Sequence, residues 1–82
     1  MSSYIYQLDF KSRRLVLAGL IEVHGDNHQL ERVARELTAS GISVNPGMLR
    51  TYWRRVKLTL TKGDDPVLAE LVREILVEKK AQ

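Results

Sequence analysis

The sequence predicts a mainly α fold, a small bundle of about four helices in one domain over residues 1–82, led in by one short N-terminal strand. Three observations predict it. Apolar residues recur at helical spacing in four separate stretches, and Gly or Pro punctuates the chain between them at Gly25, at Gly41 with Pro46, and at Gly63 with Pro66. With aromatics at 6%, the core must be mainly aliphatic, which suits helix packing. Eighty-two residues support one core and are too few for two lobes with a substrate cleft between them.

At the N-terminus, Tyr4, Tyr6, Leu8 and Phe10 alternate with Ile5, Gln7 and Asp9, the period-two pattern of a strand with one buried face. Such a strand needs a partner, either its copy in a second subunit or the alternating stretch Lys57 to Thr61. Ser12 is then the N-cap of a first helix running to about Val23. Leu15, Val16, Leu17, Leu20, Ile21 and Val23 cover most of that helix's circumference, which predicts a central or subunit-shared position. Gly25 ends it. Asp26 or Asn27 caps a second helix, with Gln29 placed as in a capping box. Leu30, Val33, Ala34 and Leu37 form a narrow apolar stripe, and the charged pairs Glu31 with Arg35 and Arg32 with Glu36 face solvent.

After Gly41, Ile42 and Val44 are expected to turn inward before Asn45 and Pro46 restart a helix. Proline pushes the residue before it out of the helical region and itself suits the first helical turn, so Asn45 is the N-cap. Met48, Leu49, Tyr52, Trp53 and Val56 fall within an arc of about 140° at the helical period, while Arg50, Arg54 and Lys57 lie opposite. Leu58 is off the arc, so the helix is expected to end near Val56 or Lys57 and give way to an extended piece. Asp64 or Asp65 before Pro66 starts the last helix, which runs to about Lys79. Its apolar face, Val67, Leu68, Leu71, Val72, Ile75 and Leu76, is broader than one docking neighbour requires, which predicts a homodimer interface.

Charge is distributed unevenly. Arg50, Arg54, Arg55, Lys57 and Lys62 stand between positions 50 and 62 with no Asp or Glu among them, whereas residues 1–49 are balanced and residues 63–82 are net acidic. The formal net charge of +3 is therefore carried by one helix, and solvated faces ordinarily mix both signs. A basic amphipathic helix of this kind suits a polyanion. Tyr52 and Trp53 share the phase of Leu49 and Val56, which assigns them to the core rather than to base stacking.

A helix over 27–40, a connection at Gly41 to Val44 and a basic helix over 46–57 resemble a helix-turn-helix DNA-binding unit. The connection, Thr38 to Asn45, is longer than the tight turn of the standard unit. The resemblance implies that the second helix enters the major groove N-terminus first, placing Asn45, Gly47, Arg50, Thr51 and Arg54 near DNA. A guanidinium at Arg50 can address guanine O6 and N7 together, and Arg55, Lys57 and Lys62 suit phosphates.

Other readings rank lower. A strand followed by two helices matches the order of ribbon-helix-helix dimers, but its outward face would be Ile5, Gln7 and Asp9, a poor surface against bases. His24, Asp26 and His28 cluster at a turn without a third remote ligand, so no metal is expected. No cysteine, phosphate-binding glycine loop or acid pair flanking a histidine is present, so neither an enzyme nor a cofactor is expected. The longest apolar run, Leu15 to Ile21, is far short of the roughly 20 residues that span a bilayer, and the cysteine-free composition fits a cytoplasmic protein with no membrane partner. The function expected is that of a small dimeric DNA-binding protein, a transcriptional repressor or nucleoprotein accessory factor. The competing class is a protein-binding adaptor or inhibitor that presents the same basic helix to an acidic partner.

Overall fold

A computed structural model of the chain describes residues 4–81. Among them are a 3-10 turn over Tyr4–Gln7 and four helices, α1 over Phe10–Glu22, α2 over Leu30–Ala39, α3 over Pro46–Lys62 and α4 over Pro66–Lys80, with no strand. The helical-bundle expectation holds. One core joins all of them, and the radius of gyration of 12.1 Å is close to the roughly 12 Å of a compact chain of this length. α1 packs on α2, α3 and α4 alike, so the helix that is apolar nearly all round is the central one. Val16, Leu17 and Leu20 on it are fully buried.

The predicted N-terminal strand is not formed, and the ribbon-helix-helix order goes with it. Tyr4 to Gln7 close a 3-10 turn, and the Leu8 amide donates to the Ile5 carbonyl at 3.2 Å. That local bond takes the place of one that a strand would make across a sheet, and the proposed partner, Lys57 to Thr61, lies inside α3. The buried face is also the opposite one: Ile5 is fully buried while Tyr6 and Phe10 are exposed. Asp9, not Ser12, caps α1, its carboxylate accepting from the Ser12 amide at 3.2 Å. Hydrogen bonding from Ser12 holds the Asp9 carboxyl below its usual value.

α2 begins at Leu30, later than expected, because Asp26 spends its carboxylate on the His28 amide at 3.0 Å and closes a separate turn. The stripe Leu30, Val33, Ala34 and Leu37 is buried as expected, Ile42 and Val44 turn inward, and Arg32 pairs with Glu36 at 2.9 Å. Both later caps match the sequence reading. Asn45 Oδ1 accepts from the Met48 amide at 2.9 Å, and Asp65 Oδ1 accepts from the Leu68 amide at 3.0 Å.

α3 runs to Lys62 rather than stopping near Lys57. The extended piece expected at 58–61 is helical because Thr59 and Leu60 find partial burial and Gly63, at φ +71, takes the left-handed cap, its amide donating to Thr59. Leu58 pays for this by remaining 55% exposed.

The broad face of α4 is used mostly within the monomer. Leu71 and Ile75 are buried in the core, and Leu68 and Val72 pack half-buried against it. Only Val67 and Leu76 of the six remain exposed, at opposite edges of that stripe. An ion pair between Arg14 and Glu78 at 2.6 Å fastens α4 to α1.

Candidate nucleic-acid interface

α3 is oriented by its two faces. Leu49, Tyr52 and Val56 are buried, with Met48, Trp53 and Leu60 packed beside them, so the opposite side must face water. All eight residues that the sequence points to, Asn45, Gly47, Arg50, Thr51, Arg54, Arg55, Lys57 and Lys62, are exposed. Their side chains differ in availability, because Asn45 already serves as the cap of α3.

At the helical period, Arg50, Arg54 and Lys57 follow one edge of the outer face, and Thr51, Arg55 and Lys62 follow the other. Leu58 lies between the two rows. The continuation of α3 beyond Lys57 brings Lys62 into line with Arg55, a register that an extended segment would not give. From Arg50 to Lys62 the cationic surface extends about 18 Å along the axis, comparable with about five base steps of duplex DNA.

Two of the cations are held by neighbouring elements that the sequence reading did not connect to α3. Arg50 Nε donates to Asn27 Oδ1 at 3.1 Å, which leaves the terminal nitrogens of the guanidinium directed elsewhere. The Arg55 guanidinium carbon lies 6.0 Å from the centroid of Tyr6, and the Tyr6 ring meets Tyr52 edge-on at a centroid distance of 5.4 Å. The local patterns place Asn27 at a helix cap and Tyr6 on a strand, and so hide their long-range contacts. No spacing rule relates Asn27 to Arg50.

Elsewhere three arginines pair with acids, Arg14 with Glu78, Arg32 with Glu36 and Arg73 with Glu70, while among the described residues Lys11, Arg13, Arg35, Lys79 and Lys80 make no salt bridge and the expected Glu31–Arg35 pair is not formed. The paired acids raise the pKa of Arg14 and of Arg73, in each case chiefly because the guanidinium donates a side-chain hydrogen bond to the glutamate partner. Among the described residues, none of the five α3 cations takes part in a salt bridge. The potential over this face is therefore not neutralised at close range.

His24 and His28 stand at the turn between α1 and α2, and no group of three His, Cys, Asp or Glu side chains among the described residues is arranged to hold a metal ion. Nor, among those residues, is any helix long and apolar enough to cross a membrane. No family model, curated protein or solved structure matches the chain.

Proposed function

We propose that this protein binds duplex DNA through the outer face of α3, as a small regulator or nucleoprotein accessory factor of the helix-turn-helix kind. The observation that carries the reading is the clustering of five exposed cations on α3, with no Asp or Glu between positions 50 and 62 and, among the described residues, no salt bridge to any of them. The mutual packing of α2 and α3 supports it, since a rigid neighbour fixes the angle at which the displayed helix meets a groove. Arg54, Arg55, Lys57 and Lys62 supply phosphate contacts, and Arg50, steadied by Asn27, supplies the base-reading group. A homodimer would pair two such helices on a symmetric site.

The test is a salt titration of affinity for random-sequence duplex DNA. Displacement of condensed counterions by four or five cations predicts a log-log slope of roughly −4. A salt-independent or absent interaction sinks the reading.

One observation favours a second reading. Leu58 is 55% exposed between the two cationic rows, and an apolar residue ringed by positive charge also fits an acidic amphipathic helix of a protein partner. Capture of such a peptide by wild-type protein but not by Leu58→Ser, with no duplex binding, would put the adaptor in place of the DNA-binding protein.

A further inference from the structure

The 3-10 turn, α1, α3 and the start of α4 enclose a cleft of about 260 Å³. Buried Val56 and half-buried Leu68 give it an apolar wall, while Arg13, Tyr52, Thr59 and Asp65 bring polar groups to the same space. Its volume is below the roughly 300–1,000 Å³ of sites for drug-sized ligands, which limits an occupant to metabolite size.

Among the described residues, the polar groups around the cleft make no hydrogen bond or salt bridge with one another. Arg14 is paired with Glu78, but its neighbour Arg13, half-buried on the cleft side, takes part in no salt bridge among the described residues. Tyr52 is only 2% exposed, yet its hydroxyl makes no hydrogen bond to another described residue; since none of the described buried oxygens is left without a partner, this one must reach the open space of the cleft. The Thr61 hydroxyl donates to the Lys57 carbonyl at 2.9 Å, whereas that of Thr59 makes no such bond. Asp65 uses Oδ1 to cap α4, which leaves Oδ2 for a ligand.

We propose that this cleft is a binding site for a small apolar α-amino acid. A guanidinium and two hydroxyls are the donors a carboxylate needs, with Arg13 able to take it in bidentate fashion. Asp65 provides the countercharge for an ammonium group, and Val56 with Leu68 takes the aliphatic side chain. The site does not depend on what α3 binds, although Tyr6 lines the cleft as well as lying under Arg55.

The experiment is an amide chemical-shift titration of the full chain with L-leucine and L-methionine, alongside 4-methylpentanoate, which lacks the ammonium group, and 3-methylbutylamine, which lacks the carboxylate. At least one amino acid should shift the amides of Tyr6, Arg13, Val56 and Thr59 saturably, with a Kd of about 1 mM or below, and bind about tenfold more tightly than either single-charge analogue. Arg13→Gln should weaken the amino acid and 4-methylpentanoate about tenfold and leave the amine unchanged, with Thr59→Val as the second variant if Arg13→Gln fails to fold. Absence of saturable shifts with both amino acids overturns the proposal, as does amine binding equal to that of the amino acids or undiminished binding in the folded variant.

Discussion

Gly25 and the indole of Trp53 are in such close apposition that a Cβ on Gly25 would fall 2.0 Å from Trp53 Nε1. The turn that ends α1 is thereby pressed against α3, and the next turn of the same α1–α2 connection carries Asn27 to Arg50. Gly25 also adopts φ +66, where any other residue is strained.

Gly25→Ala should therefore lose stability twice, through the backbone and through displacement of Trp53. Gly63 is the control, since it too has a positive φ, +71, but a Cβ there meets nothing within 4 Å. Chemical denaturation should show a loss of about 1 kcal/mol for Gly63→Ala and more than about 2 kcal/mol for Gly25→Ala. Equal losses would show that Trp53 yields freely.

Asn45 separates the stability of α3 from its charge. Asn45→Ala removes the acceptor for the Met48 amide and should cost about 1 kcal/mol, whereas Asn45→Asp keeps the cap. On duplex DNA the order should differ, because the new carboxylate at the groove end of α3 repels phosphate. The melting temperature of Asn45→Asp should match wild type while its duplex affinity falls.

Cations assigned to phosphates should be distinguishable from Arg50 by their effect on sequence preference. Arg55→Ala and Lys57→Ala should each lower the log-log slope by about one unit and weaken all sequences alike. Arg50→Ala should cost about 1–3 kcal/mol selectively on the preferred site. Asn27→Ala, which removes no charge, should leave the slope unchanged and relax sequence preference in the same direction as Arg50→Ala.

Tyr52 predicts the alkaline limit of the fold. Burial first, and then the neighbouring Tyr6, push its pKa up to about 12 from 10.0. A phenol whose folded pKa is raised contributes stability that is complete below the unfolded value and is lost as pH rises through the folded one. Unfolding followed between pH 10 and 12 should therefore show a decline of at most about 3 kcal/mol from this residue, and Tyr52→Phe should flatten that decline.

The two kinds of apolar residue on α4 should respond differently to charge. Leu71 is 7% exposed and Val67 is 73% exposed. Leu71→Asp should unfold the monomer, a cavity plus an unpaired charge costing more than about 3 kcal/mol. Val67→Asp should leave the circular dichroism spectrum intact, and if wild type sediments as a dimer through this edge, the variant should sediment as a monomer. A monomeric wild type at high micromolar concentration removes the dimer from the proposed function.

Features governed by neighbouring residues were legible from the chain alone. Asn45 with Pro46 and Asp65 with Pro66 set the starts of α3 and α4, because cap and proline geometry act within one turn. The stripe from Leu30 to Leu37 and the inward arc of α3 were legible because burial follows the helical period over many residues. For the same reason the exposure of Arg50, Arg54, Arg55 and Lys57 could be read directly.

Other features depended on how the helices pack against one another. Seven residues of alternation at Tyr4 to Phe10 were compatible with a strand, but with the Lys57 to Thr61 stretch taken into α3 no strand partner stood opposite among the described residues, and the segment closed a 3-10 turn that buries Ile5. The end of α3 depended on whether Leu60 found a neighbour and Leu58 could be left in water, which no local pattern states. The broad face of α4 was likewise ambiguous, since covering by α1 and covering by a second subunit require the same apolar residues. Asn27 beside Arg50 and Arg13 beside Tyr52 are encounters between distant parts of the chain, fixed by how the helices cross, and a one-dimensional pattern holds no record of them.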